Sequence, residues 1–293
     1  MSSTDPHAVI FETHRSLLTG VAYRMLGSVS DAEDMVGEAW LKWRETDPET
    51  IDSPRSWLVT VVSRLSLDRL KSAQVQREQY YGTWLPEPFL AESSGPSTAQ
   101  IDESVSIALL YVLEKLSPVE RAGFLLHEAF GFSFDEIARI LDKSPATCRK
   151  FVSRARARVR SEKPRFTVTS REHEELLKRF LDACRKGELE PLMGLLGDSA
   201  ALYSDGGGKA AAAARVLVGR DDVLSFFTRV LRGQTRIFDD ARITSFNGAP
   251  GILLFEGGHV ATAISLEIQN GKIVGIFAHR NPDKLRWLEA AQR

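Results

Sequence analysis

Between Lys143 and Arg160 the chain carries seven Lys/Arg residues and no Asp or Glu. Arg149, Lys150, Ser153, Arg154 and Arg156 recur at spacings that place them outside one helix, while Cys148, Phe151, Val152, Ala155 and Val159 make an apolar stripe. Cationic groups displayed this way suit phosphate oxygens, and a planar guanidinium also matches the paired acceptors on a guanine edge. The chemistry expected is recognition of nucleic acid, with no bond made or broken.

The elements that must position these residues are also legible. Ser144 is suited to cap the basic helix and Pro145 to open it, where a missing N–H costs nothing. Upstream, Ser133 and Glu136 stand at capping-box spacing before a short helix whose Ile137, Ala138 and Leu141 are apolar. Residues 142–144 then make a tight connection. Short helix, turn and basic helix form a helix-turn-helix pattern, in which the second helix enters the major groove.

The totals narrow the role. A chain of 293 residues, 43% hydrophobic and 26% charged, has the composition of a globular protein with two or three domains. Its net charge of -1 leaves little counterion release to drive duplex binding alone, so a subunit that shares contacts with a partner is expected, not a free-standing repressor. Cys148 and Cys184 have no second Cys or His at metal-ligand spacing and are expected as reduced core residues, with no metal and no cofactor. The start, MSSTDPHAV, lacks a basic-then-apolar signal and no apolar run approaches membrane-spanning length, so a cytoplasmic protein without membrane contact is expected.

Apolar periodicity predicts helices over 6–26, 30–45 and 54–81, the second opened by a Ser30/Glu33 capping box and acidic on its outer face. Residues 82–100 break that pattern with prolines, glycines and Ser/Thr, yet contain Trp84, Leu85, Phe89 and Leu90, more apolar surface than a solvated tether needs. Local packing against the third helix and a docking segment are both open. Helices resume over 105–116 and 118–130, the latter with a Ser117/Glu120 capping box. Beyond residue 165 the pattern becomes α+β: helices over 170–186, 189–196 and 220–231, and strands near 200–204, 235–246, 251–256, 259–269 and 272–280. Asn247-Gly248, Gly257-Gly258 and Asn270-Gly271 suit hairpin turns, and a last helix starts at Pro282.

With these residues in view, the chain resembles the extracytoplasmic-function sigma factors that carry a fused C-terminal domain. LLTGVAYRMLGSVSDAEDMVGEAWLKW and PRSWLVTVVSRLSLDRLKSA resemble sigma region 2; SPVERAGFLLHEAFGFSFDEIARIL and CRKFVSRARARV resemble region 4. Trp84-Leu85-Pro86-Glu87-Pro88, Asp205-Gly206-Gly207-Gly208-Lys209 and Asn281-Pro282-Asp283-Lys284-Leu285 resemble the markers of the fused-domain group. Gly37 stands where the family pattern has a Gln-like residue, and Cys148 where it has a Val-like one.

The resemblance implies a multidomain fold: an all-α region 2 bundle (1–81), a linker (82–101), an all-α region 4 helix-turn-helix domain (102–164) and an α+β SnoaL-like, NTF2-like cone (165–293). It implies core RNA polymerase, through its β′ clamp helices and β flap, and promoter DNA as partners. Asp31, Glu33, Asp34 and Glu38 would meet polymerase. Arg64, Asp68, Arg69 and Lys71 would hold the −10 element, with Asp68 orienting Arg64 or Arg69 as an alternative role. Arg149, Lys150, Ser153, Arg154 and Arg156 would read the −35 element. The WLPEP, DGGGK and NPDKL residues would join the linker to the C-terminal domain and regulate the DNA-binding halves in cis.

SnoaL-like folds also include enzymes with Asp/His acid–base groups in an apolar pocket, and Tyr203, Asp205, Asp239, His259 and His279 are the groups available for such a role. No spacing among them requires any two to meet. The expectation is a regulatory domain and not an enzyme, with a SnoaL-like enzyme or a ligand-sensing domain as alternatives.

Overall fold

The computed structural model describes residues 5–89, 106–162, 169–232 and 238–290, and the chain divides into two compact units. The first comprises residues 1–78, 94–105 and 109–164; the second comprises 79–93, 106–108 and 165–293. Leu90 lies outside the described residues.

Among the described residues, seven α-helices build the helical unit: α1 (Pro6–Leu26), α2 (Val29–Arg44), α3 (Pro54–Glu78), α4 (Ile107–Glu114, its first two residues counted with the second unit), α5 (Pro118–Glu128), α6 (Phe134–Leu141) and α7 (Pro145–Glu162). Helices α1–α3 bury Leu18, Met25, Ala39, Trp43, Leu58 and Val62 among themselves, whereas α5–α7 close over Leu126, Ile137, Cys148, Val152 and Ala155. Helix α3 also packs on α5 and α6. The predicted boxes at Ser117/Glu120 and Ser133/Glu136 are present. The cap of α2 is Ser28, not Ser30: Ser28 Oγ accepts from Asp31 N–H at 3.3 Å, and Ser30 falls inside the helix with its hydroxyl 3.1 Å from that of Ser28. Helix α3 stops at Glu78, short of the expected 81, and Tyr80, just past its end, donates to Asp205 in the second unit.

The second unit contains α8 (Ser170–Lys186), α9 (Leu189–Leu195), β1 (Leu196–Asp205), β2 (Leu217–Val218), α10 (Arg220–Arg232), β3 (Asp240–Phe246), β4 (Ala249–Glu256), β5 (His259–Gln269), β6 (Lys272–His279) and α11 (Pro282–Ala290). The sheet order is β2-β1-β6-β5-β4-β3, antiparallel throughout except where β1 runs parallel to β6. Both residues of each predicted hairpin pair have positive φ, the conformation a two-residue turn of matching twist requires. Short strand β2 was not foreseen, and β1 starts earlier than expected.

Alternation of side chains divides this sheet's faces. One face, carrying Leu202, Ile276, Ile264 and Ile252, is filled by Leu177, Phe180, Leu192, Val223 and Phe227 of α8–α10. On the other, Leu253, Phe255 and Ala263 pack with Leu285 and Leu288 of α11. The α+β architecture is as expected.

Candidate functional site

Asp205 closes β1 on the α11 side of the sheet and is fully buried. Its Oδ1 accepts from the Tyr80 hydroxyl at 2.6 Å and Gly207 N–H at 3.1 Å; its Oδ2 accepts from Leu85 N–H at 2.9 Å and the Lys284 ammonium at 2.7 Å. Four donors thus replace the water a buried carboxylate loses. Lys284, buried too, also donates to the Leu85 carbonyl and lies 4.1 Å from the Trp84 ring centroid. Asn281 donates from Nδ2 to the Tyr80 hydroxyl at 2.9 Å and from its backbone to the Asp205 carbonyl at 2.9 Å. Burial, and then the bond to Asp205, push the Tyr80 phenol well above its ordinary range, so it stays a donor.

The rest of 84–89 is held by backbone recognition, with Leu85, Pro86, Glu87, Pro88 and Phe89 all buried. His279 Nε2 lies 2.8 Å from the Pro86 carbonyl, against 3.4 Å from Nδ1 to the Ala263 carbonyl. Burial lowers the His279 pKa to about 4, so the ring is neutral near pH 7, and its single proton serves the shorter contact. Phe89 and Asn247 exchange two bonds, Phe89 N–H to Asn247 Oδ1 and Asn247 N–H to Phe89 O, each 2.9 Å.

The WLPEP, DGGGK and NPDKL residues therefore meet in space. Lys209 pairs with Asp283, Pro282 opens α11, and Leu285 anchors that helix in the sheet's second core. Gly207 has φ +59, and a Cβ there would stand 2.3 Å from Asn281 Nδ2; Gly206 is equally confined, 2.2 Å from the Ala210 carbonyl. Gly208, also at positive φ, passes Tyr81 at ordinary contact distance. Tyr80 and Asn247 were missed from sequence: one sat in a predicted helix, the other in a predicted turn.

The five acid–base candidates do not share a pocket. Tyr203 stacks on Phe277 with ring centroids 4.7 Å apart, Asp239 accepts from Gly257 N–H at 2.7 Å, and His259 is exposed 3.5 Å from Glu289. Asp205 and His279 stand opposite one another across β1 and β6, and residues 80–89 occupy both. Among the described residues, no group of three or more His, Cys, Asp or Glu could hold a metal ion, and no helix is long and apolar enough to cross a membrane.

In the helical unit, Arg149, Lys150, Ser153 and Arg154 are exposed on α7 and Arg156 is half-exposed. Arg154 Nε lies 3.1 Å from Glu120, Arg156 pairs with Glu128, and the Arg149 guanidinium sits over the Phe134 ring. On α2, Glu33, Asp34 and Glu38 are exposed, and burial followed by the proximity of Asp34 raises the Glu33 pKa. Asp31 instead binds Arg69 at 2.6 Å. Arg64 donates to the carbonyls of Ile140 at 3.1 Å and Arg139 at 2.8 Å, at the end of α6. Asp68 pairs with Lys71 at 2.9 Å, not with Arg64 or Arg69. Deeper in, Glu114 lies between Arg77 and Arg121. Arg77 also donates to the Leu26 carbonyl at 2.6 Å and Arg121 to the Met25 carbonyl at 2.7 Å, so two cations meet the carbonyl end of α1.

Residues 10–75 match the family model for Sigma-70 region 2, and residues 106–159 match Sigma-70, region 4. The chain belongs to the extracytoplasmic-function (ECF) RNA polymerase sigma factors. It is 37% identical over 286 residues to the ECF RNA polymerase sigma factor SigJ of Mycobacterium tuberculosis (strain ATCC 25618 / H37Rv), covering 94% of this chain and 91% of the relative. It is 33% identical over 293 residues to the probable ECF RNA polymerase sigma factor SigI of Mycobacterium tuberculosis (strain CDC 1551 / Oshkosh), covering 99% and 98%. The crystal structure of Mycobacterium tuberculosis SigJ superposes with a TM-score of 0.74 at 33% identity, over 95% of this chain and 98% of that one. Regions 2 and 4 make core RNA polymerase and promoter DNA its partners.

Proposed function

We propose that this sigma factor divides promoter reading between α3 and α7, with Arg64, Asp68, Arg69 and Lys71 at the −10 element and Arg149, Lys150, Ser153, Arg154 and Arg156 at the −35 element. Asp31, Glu33, Asp34 and Glu38 dock residues 1–81 on the β′ clamp helices by complementary charge, and residues 102–164 meet the β flap. The protein works in the cytoplasm, where polymerase is.

The C-terminal domain regulates in cis and turns over no substrate. The observation that carries this reading is the convergence of Tyr80, Leu85 and Lys284 on Asp205. A domain that grips the segment joining the two DNA-reading halves restrains their separation, and because the contact is intramolecular it is populated without a partner's help. The same grip supports placing the chain in the group marked by WLPEP, DGGGK and NPDKL. With four donors on Asp205 and the His279 ring neutral against Pro86, neither group is available to move a substrate proton. The packed helical unit favours restraint as well, since Arg64 must leave the α6 carbonyls before it can touch DNA.

The test is transcription in vitro with core polymerase, comparing the full chain, a chain ending near residue 170, and Asp205→Asn. Promoter-dependent transcription is expected to rise in both variants. Equal activity in all three refutes regulation in cis.

A further inference from the structure

Three arginines of α7 are held in different ways. Arg154 and Arg156 pair with the carboxylates of Glu120 and Glu128 on α5, and the Arg154 guanidinium carbon also lies 5.5 Å from the ring centroid of Phe151 on its own helix. Each must exchange that ion pair for DNA. Arg149 is held by a ring: its guanidinium carbon lies 5.3 Å from the centroid of Phe134. A cation–π contact fixes the position of a guanidinium without using its N–H donors as an ion pair does, and a bidentate contact to guanine O6 and N7 needs those donors.

The ring is itself fixed. Phe134 is the first residue of α6, directly after Ser133, whose Oγ accepts from Glu136 N–H at 3.3 Å while Glu136 Oε2 accepts from Ser133 N–H at 2.8 Å. His127 of α5 stacks on the same ring at 4.4 Å between centroids and 28° between planes. His127 Nδ1 lies 3.1 Å from the Phe132 carbonyl, which orients the imidazole. Residues of α5 and α6 thus converge behind one exposed guanidinium near the start of the recognition helix, the part of such a helix that reaches base edges.

We propose that Phe134, supported by His127, is a positioning residue for −35 recognition, setting where the Arg149 guanidinium meets a base pair. Phe134 touches no DNA; it acts through Arg149. This rests on the assignment of α7 to the −35 element.

The test uses full-length protein with core polymerase, transcribing a promoter library randomised across the −35 element and read by sequencing transcripts. In the wild type, one position carries a preference that Arg149→Ala abolishes. Phe134→Leu keeps an apolar residue but removes the ring, and is expected to weaken that same preference about threefold, the scale of an exposed cation–π contact, leaving the other positions unchanged. Phe134→Tyr should retain it, and Phe134→Leu added to Arg149→Ala should change nothing more. If Arg149→Ala loses the preference and Phe134→Leu does not, or if Phe134→Leu weakens all positions evenly, the positioning role is wrong and the −35 assignment survives. If Arg149→Ala alters no position, the assignment itself fails, and the proposal with it.

Discussion

Lys284 Nζ lies 2.7 Å from Asp205 Oδ2, with both side chains buried. Removing one partner of such a pair leaves an uncompensated charge, which typically costs about 3–5 kcal/mol. Lys284→Met should therefore lower the thermal midpoint of the C-terminal unit strongly, and adding Asp205→Asn should recover part of the loss. Calorimetry of the full chain gives both values; a double variant no more stable than Lys284→Met means the two charges are not coupled.

Gly207→Ala should be damaging for a different reason. Its φ is positive and its Cβ would overlap Asn281, whereas at Gly271, also positive in φ, a Cβ meets nothing within 4 Å. Gly271→Ala is expected to cost only the backbone strain, about 1 kcal/mol. Gly207→Ala should cost clearly more and should expose residues 80–89 to amide exchange. Equal stability losses at the two sites would argue against close packing at Gly207.

His279 predicts a pH dependence. Its folded pKa of about 4 lies below the ordinary value of 6.5 because burial penalises the charged ring. The unfolded chain thus binds more protons between those values, so stability falls as pH drops from 6.5 toward 4 and this contribution levels off below. The full effect is roughly 3 kcal/mol by linkage. Unfolding measured between pH 6.5 and 5, before most carboxylates titrate, should show the slope in the wild type and a flatter one in His279→Gln. Identical slopes would show that His279 is not the group responsible.

In the helical unit, Glu114 carries the charge balance of Arg77 and Arg121. Glu114→Ala leaves the buried Arg121 and the half-buried Arg77 guanidiniums without their shared carboxylate and should destabilise by about 3 kcal/mol. Amide exchange in 20–27 and 113–121 should accelerate before that of α7. Unchanged exchange there would mean that the carbonyls of Met25 and Leu26 suffice to hold both arginines.

What was legible in the sequence was what local physics determines. The boxes at Ser117 and Ser133 and the Asn-Gly turns are set within four residues, and each formed as expected. Ser30 was misread because Ser30/Glu33 and Ser28/Asp31 offer the same spacing, and only the path of the chain after Gly27, at φ +66, chooses between them. Tyr80 was invisible because its partner is 125 residues away and nothing nearby distinguishes it from a helical tyrosine. The three marker stretches stood out only through family resemblance. That a single carboxylate, Asp205, gathers donors from all three of them and from Tyr80 is a property of β1, β6 and α11 meeting at one edge, which no spacing encodes.

Leu85 and Lys284 are 199 residues apart, and that separation has a temporal side. A ribosome adding roughly 5–20 residues each second reaches Lys284 about 10–40 s after Leu85, while helices up to residue 162 have already been made. Under the regulation in cis proposed above, every newly synthesised molecule passes through an interval in which α1–α7 exist and the restraint does not. On that proposal, polymerase near the site of synthesis would meet the nascent chain before residues 80–89 are gripped, and the balance between active and restrained protein would follow the rate of translation.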